Sequence, residues 1–109
     1  MELLKTEFVP GDPPVLLLQG EADFSTTDQL RAALDHALSV DSTVVVDMAG
    51  ITFIDAAGLR AVLQAAASRN GLGPLRLVNA PRVARLLEIV GLSDLPSIEI
   101  RGTGETRDR

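Results

Sequence analysis

The sequence contains no cysteine, so neither a disulfide framework nor a thiol-based site can be built from it. Aromatic residues make up only 3% of the chain, which leaves the core to aliphatic side chains. Basic residues are outnumbered, ten against fifteen acidic ones, for a formal charge of −5. That balance argues against a nucleic-acid binder, which needs clustered Lys and Arg on one face to neutralise phosphates. The densest basic pair, Arg82 and Arg85, reads as a solvated helix face. No apolar run approaches the ~18 residues of a membrane span, and the N-terminus lacks a basic segment followed by an apolar signal core. A soluble cytoplasmic protein without membrane insertion is therefore expected. His36 is the only histidine and falls opposite Leu30, Leu34 and Ala37 on a helical wheel, where it would be solvated. With no second histidine, no acidic metal-loop spacing and no Gly-x-x-x-x-Gly-Lys loop, neither an enzyme, a metal site nor a cofactor is expected.

What is present is a small, strongly patterned module. A hydrophobic content of 46% in 109 residues is ample for one core. Leu3 to Val9 and Pro14 to Gln19 are strand-like and joined by Pro10-Gly11-Asp12-Pro13, which predicts a hairpin. Thr26-Thr27-Asp28-Gln29 has capping-box spacing, and Leu30, Ala33, Leu34, Ala37 and Leu38 recur as the inner face of a first helix. Val44, Val45 and Val46 predict a central strand covered on both faces, within Thr43 to Met48. A second helix is expected from about Ala56 to about Asn70, stopped by Gly71. Leu75 to Val78 reads as a fourth strand, Pro81 opens a third helix that Gly91 ends, and Ser97 to Arg101 closes the series. The alternation predicts an α/β domain over residues 1–101, a mixed, largely parallel sheet with an N-terminal antiparallel hairpin and about three helices. Residues 102–109 read as a flexible polar tail.

One stretch concentrates the interest. In Ile51-Thr52-Phe53-Ile54-Asp55-Ala56-Ala57-Gly58-Leu59-Arg60 an apolar run breaks at an acid and restarts as an amphipathic helix. Asp55 is placed to cap that helix, since its carboxylate can accept from the free N–H groups of the first turn. Gly58 costs about 1 kcal/mol relative to alanine in a helix, which implies a close approach to the backbone there. Capping explains Asp55 on its own and is compatible with a contact role; Ala56, Ala57 and Gly58 can equally serve close helix-to-sheet packing.

The stretch resembles the signature of STAS domains, the family of bacterial anti-sigma-factor antagonists, in which Asp-Ser-Ser/Thr-Gly-Leu follows an apolar segment and the first serine is phosphorylated by a partner kinase. Asp55, Gly58 and Leu59 match, while both hydroxyl positions are alanine, Ala56 and Ala57, so the phosphosite equivalent, Ala56, cannot be phosphorylated. Glu21 and Asp23 resemble the family's Gly-Glu-Leu-Asp segment, and the strand ends that would deliver Gly20 to Ser25, Ala49 to Asp55 and Asn79 meet beside the same helix start. The resemblance implies a partner surface of Glu21, Asp23, Ser25, Asp55, Ala56, Ala57, Gly58 and Leu59. Its partner would be an anti-sigma factor of the serine-kinase type, so that sigma factor is released. Two other roles stay open: an accessory subunit of a lipid-transport ATPase complex, and a sensor domain for a small ligand or nucleotide.

Overall fold

The computed structural model describes residues 3–102. The elements follow the order β1 (Leu4–Val9), β2 (Val15–Ala22), a 3₁₀ turn (Phe24–Thr26), α1 (Thr27–Val40), β3 (Val45–Ile54), α2 (Ala56–Ala67), β4 (Leu75–Val78), α3 (Pro81–Ile89) and β5 (Ile98–Arg101). They build one five-stranded sheet in the order β1-β2-β3-β4-β5, with β1 antiparallel to β2 and the rest parallel. The expected α/β class, hairpin and three helices are all present. The expected tail lies, apart from Gly102, outside the described residues.

The sheet register explains the layering. Phe8, Leu16, Val46, Leu77 and Ile100 are successive partners across all five strands, so they share one face. Leu16, Val46 and Leu77 are buried there, with Phe8 and Ile100 packed at the ends of the row. Three successive crossovers of one hand between sequential neighbours place all three helices on the same side of a sheet. Their apolar stripes, Leu30, Leu34 and Ala37 of α1, Leu59, Val62 and Ala66 of α2, and Val83 and Leu87 of α3, close the core. Each fully buried leucine or valine contributes about 1.5–3 kcal/mol.

The adjacent register row, Val15, Val45, Arg76 and Glu99, lies on the opposite face. Val15 and Val45 are only half-buried and Arg76 is exposed, with Arg76 pairing Glu99 at 3.8 Å. The expectation that β3 would be covered on both faces is thus corrected. A run of three valines reads the same whether the second face meets a helix or water beside β-branched neighbours.

Two strands run further than the sequence pattern indicates. Residues 20–22 and 49–54, expected as loops, extend β2 and β3 through the pairs Gln19↔Gly50, Gly20↔Ile51, Glu21↔Phe53 and Ala22↔Ile54, with irregularities between Leu17 and Gln19 and between Gly20 and Glu21. Gly20 and Gly50 are poor strand formers, and parallel pairing overrides them. Gly20 itself is required: it sits at φ +106°, and a Cβ there would lie 2.1 Å from the Leu3 carbonyl oxygen. α2 ends at Ala67 and not near Asn70, because the chain turns through left-handed Asn70 (φ 52°) and Gly71 (φ 85°). His36 is exposed as expected, but its ring also meets Phe8 edge-on at 6.2 Å.

Candidate functional site

The site assembles where β2 and β3 finish and α2 begins. The Asp55 backbone N–H donates to the Ala22 carbonyl at 3.2 Å, which ties the two strand ends together. The Asp55 carboxylate then works in two directions: one oxygen accepts from the Gly58 N–H at 3.0 Å and caps α2, and the other accepts from the Phe24 N–H at 3.2 Å. A single side chain therefore joins the helix start to the β2–α1 loop. The close approach implied by Gly58 is internal: a Cβ at this position would stand 2.1 Å from the Ala22 carbonyl oxygen and 2.8 Å from its carbon.

The loop after β2 is organised by Asp23 and Thr26. The expected capping box on Thr26 and Gln29 is not formed; Thr26 precedes α1 without a side-chain cap, and Gln29 Nε2 reaches the Leu4 carbonyl at 2.8 Å instead. The box lies one turn earlier. Asp23 Oδ1 accepts from the Ser25 N–H at 2.9 Å and the Ser25 hydroxyl at 2.7 Å, while Thr26 Oγ1 accepts from the Asp23 N–H at 3.0 Å and donates to the Glu21 carbonyl at 2.8 Å. Two overlapping frames sit in this segment, Asp23 with Thr26 and Thr26 with Gln29, and the buried Thr26 hydroxyl, which needs partners, selects the earlier one. The hydroxyl bond from Ser25 is the largest influence on Asp23 and holds its carboxyl below the usual carboxylate value; slight desolvation opposes this, and the backbone N–H groups of Ser25 and Thr26 add to the lowering.

Asp23, Ser25, Asp55, Ala56 and Ala57 are thus brought together at one surface. Ala56 and Ser25 are exposed, and Asp23, Asp55 and Ala57 are half-buried. Gly58 and Leu59 lie beneath it in the interior. Glu21 is a strand residue opposite Phe53 and not part of the loop. Asn79, expected at the same place, donates to Asp47 Oδ1 at 3.2 Å. A groove of about 560 Å³ opens beside the helix start, lined by Phe24, Ser25, Arg31, Ala57 and Arg60 among others.

The aromatic residues escaped the sequence reading. Phe24 is 83% exposed and Phe53 49% exposed, and both precede the α2 start in sequence. A signal was available: the chain holds only three phenylalanines and no tyrosine or tryptophan, and two of the three flank the segment around Asp23 and Asp55. Among the described residues no group of three or more acidic or histidine side chains could hold a metal ion, and no helix is long and apolar enough to cross a membrane.

The sheet order runs without reversal, so no crevice of the kind formed at a topological switch point exists, and the strand ends present a surface. Comparison with known proteins bears on the fold and family. A family model described as "Mlab, STAS domain" matches residues 9–99. No curated protein sequence matches the chain. Among solved structures, an anti-sigma factor antagonist from Mycobacterium paratuberculosis superposes with a TM-score of 0.78 at 19% identity, covering 94% of this chain and 89% of its own. The anti-sigma factor antagonist SpoIIAA in its unphosphorylated form gives 0.62 at 24% identity, with 97% and 94% covered. The phosphorylated form of SpoIIAA, a Bacillus cell fate determinant, gives 0.58 at 22% identity, with 97% of each chain covered.

Proposed function

The chain belongs to the STAS domain family, and from that premise we propose that it is an anti-sigma-factor antagonist, a binding protein and not an enzyme, working in the cytoplasm. Its partner is an anti-sigma factor of the serine-kinase type, which it engages so that sigma factor is released. The observation that carries this reading is the α2 start: exposed Ala56 above a helix fixed by Asp55, with Phe24 standing 83% exposed beside it. An aromatic side chain in water beside a rigid backbone is available for a partner to enclose, and such a contact adds to affinity. Asp23 and Asp55 place acidic groups beside it, suited to a partner with basic groups, while Glu21 stands on β2 opposite Phe53.

Phosphate on a residue at position 56 would add about −1.5 to −2 charges beside Asp55, enough to disfavour a packed interface. Neither Ala56 nor Ala57 offers an oxygen for it. This chain therefore lacks the phosphoswitch at that position. The same feature supports a second reading, an accessory subunit of a lipid-transport ATPase complex, because a permanently docked subunit needs no switch. Calorimetric titration against the serine-kinase anti-sigma factors of the same organism tests the first reading, with 1:1 binding and displacement of sigma factor expected. Absence of binding to all of them, together with co-purification of a transport ATPase, would decide for the second.

A further inference from the structure

A second groove, of about 530 Å³, lies between the last half of β3 and the first turns of α3. Its apolar lining comes from Met48, Ile51, Phe53, Ile54 and Leu86, and two cations, Arg82 and Arg85, line it as well. Arg82 Nε donates to the Ile51 carbonyl at 3.1 Å, which anchors that guanidinium against the groove wall. Arg82 and Arg85 are three residues apart on α3, the spacing at which helical side chains are neighbours. Among the described residues the only ion pairs are those of Arg76 and Arg101 with Glu99, so neither groove arginine is held in an ion pair. In a chain of net charge −5, two guanidinium groups outside any ion pair lining one apolar groove are a local departure from the overall surface.

We propose that this groove binds a single-chain amphiphilic carboxylate, an alkyl or aryl acid. Its volume falls within the range of small-molecule sites, about 300–1,000 Å³. The apolar portion rests against Ile51, Phe53 and Leu86, and the carboxylate accepts from the guanidinium groups, whose planar forks match it. A small inorganic anion would leave the apolar lining unused, and a neutral apolar ligand would leave the two cations unanswered. The proposal is independent of the anti-sigma reading, since it concerns the chain alone.

Octanoate is the probe, with octanol and acetate as controls for the head group and the chain, titrated into the full chain by calorimetry and by amide chemical shifts. Octanoate should bind saturably and shift the amides of residues 51–54, 80 and 82–86, with both controls at least tenfold weaker. Arg85→Gln, which leaves the Arg82 anchor in place, should weaken octanoate at least fivefold without moving the melting temperature by more than a few degrees, while Arg85→Lys should retain part of the affinity. No saturable octanoate binding below about 10 mM, octanol binding as tight as octanoate, shifts confined to the α1–α2 groove, or an affinity untouched by Arg85→Gln would each overturn the proposal. So would a Glu-Leu-Leu-Glu peptide binding at least tenfold more tightly than octanoate, because the groove would then belong to a protein partner.

Discussion

The two ends of α2 are built on one plan and finished differently. At its start a carboxylate, Asp55, bonds the first turn and reaches across to the Phe24 N–H; just past its end a guanidinium, Arg69, reaches across to the carbonyls of Ser42, Leu72 and Gly73 at 2.8–3.1 Å. An acid at the N-terminus and a cation at the C-terminus both suit the helix dipole. Yet Arg69 is 8% exposed and seals its end against the loop before β3, whereas the Asp55 end leaves Ala56 in solvent and Phe24 83% exposed. Closing an end with buried hydrogen bonds serves stability. Bracing an end while leaving apolar side chains in water has no benefit to the fold, and the proposed partner surface rests on that asymmetry.

The comparison breaks if the open end proves dispensable to binding or the sealed end proves to govern it. The largest effect is expected at Gly58, where alanine must push the α2 start off the Ala22 carbonyl. Gly58→Ala should cost about 3 kcal/mol or more, read as a fall in melting temperature of roughly 12 °C or more. A fall of only a degree or two would mean that the strand end yields easily and that the open end is less rigid than described.

Arg69→Met tests the sealed end. It keeps the aliphatic stem but strands three carbonyls, and a loss of about 2–3 kcal/mol is expected in denaturant melts, with partner affinity of the folded fraction unchanged. A matching drop in affinity would show that the two ends are not separable.

Ala56→Glu sharpens the contrast in the other direction. An extra carboxylate at a helix start should leave the melting temperature within a few degrees, but in the complex it must be desolvated beside Asp55. Partner affinity should weaken at least about tenfold, equivalent to ~1.4 kcal/mol, and an unchanged titration would remove the α2 start from the interface. The smallest effect is assigned to Phe24→Ser, which should weaken binding by about 1 kcal/mol while stability stays within about 0.5 kcal/mol, because the ring contributes little to the core. A large stability loss there would show Phe24 to be structural.

Much of the fold could be read in the chain because the information is local. Pro81 opens α3 and left-handed Gly91 follows its end, as Gly71 does for α2, and Leu59, Val62 and Ala66 carry the inner stripe of α2 at a spacing visible in any window. The candidate site was legible in part for the same reason: Asp55 as a cap depends on four consecutive residues. Arg69 was not, since an arginine after a helix looks solvated until a loop 27 residues earlier in sequence supplies a carbonyl to bury it. The capping frame on Asp23 was missed because two frames fit the letters and only the burial of Thr26 chooses between them.

By itself, the sequence determined the order and kind of the elements, the hairpin, the cap at Asp55 and the loss of any hydroxyl at positions 56 and 57, because each rests on side-chain pattern or backbone preference within a few residues. The tertiary structure alone decided that β2 and β3 run on through two glycines, that one face of the sheet stays open, that Gly58 answers to the Ala22 carbonyl, and which two of the three phenylalanines are exposed. Those outcomes depend on contacts between segments roughly 30 residues apart, and pairing, burial and close approach between distant segments leave no periodic trace in the segments themselves.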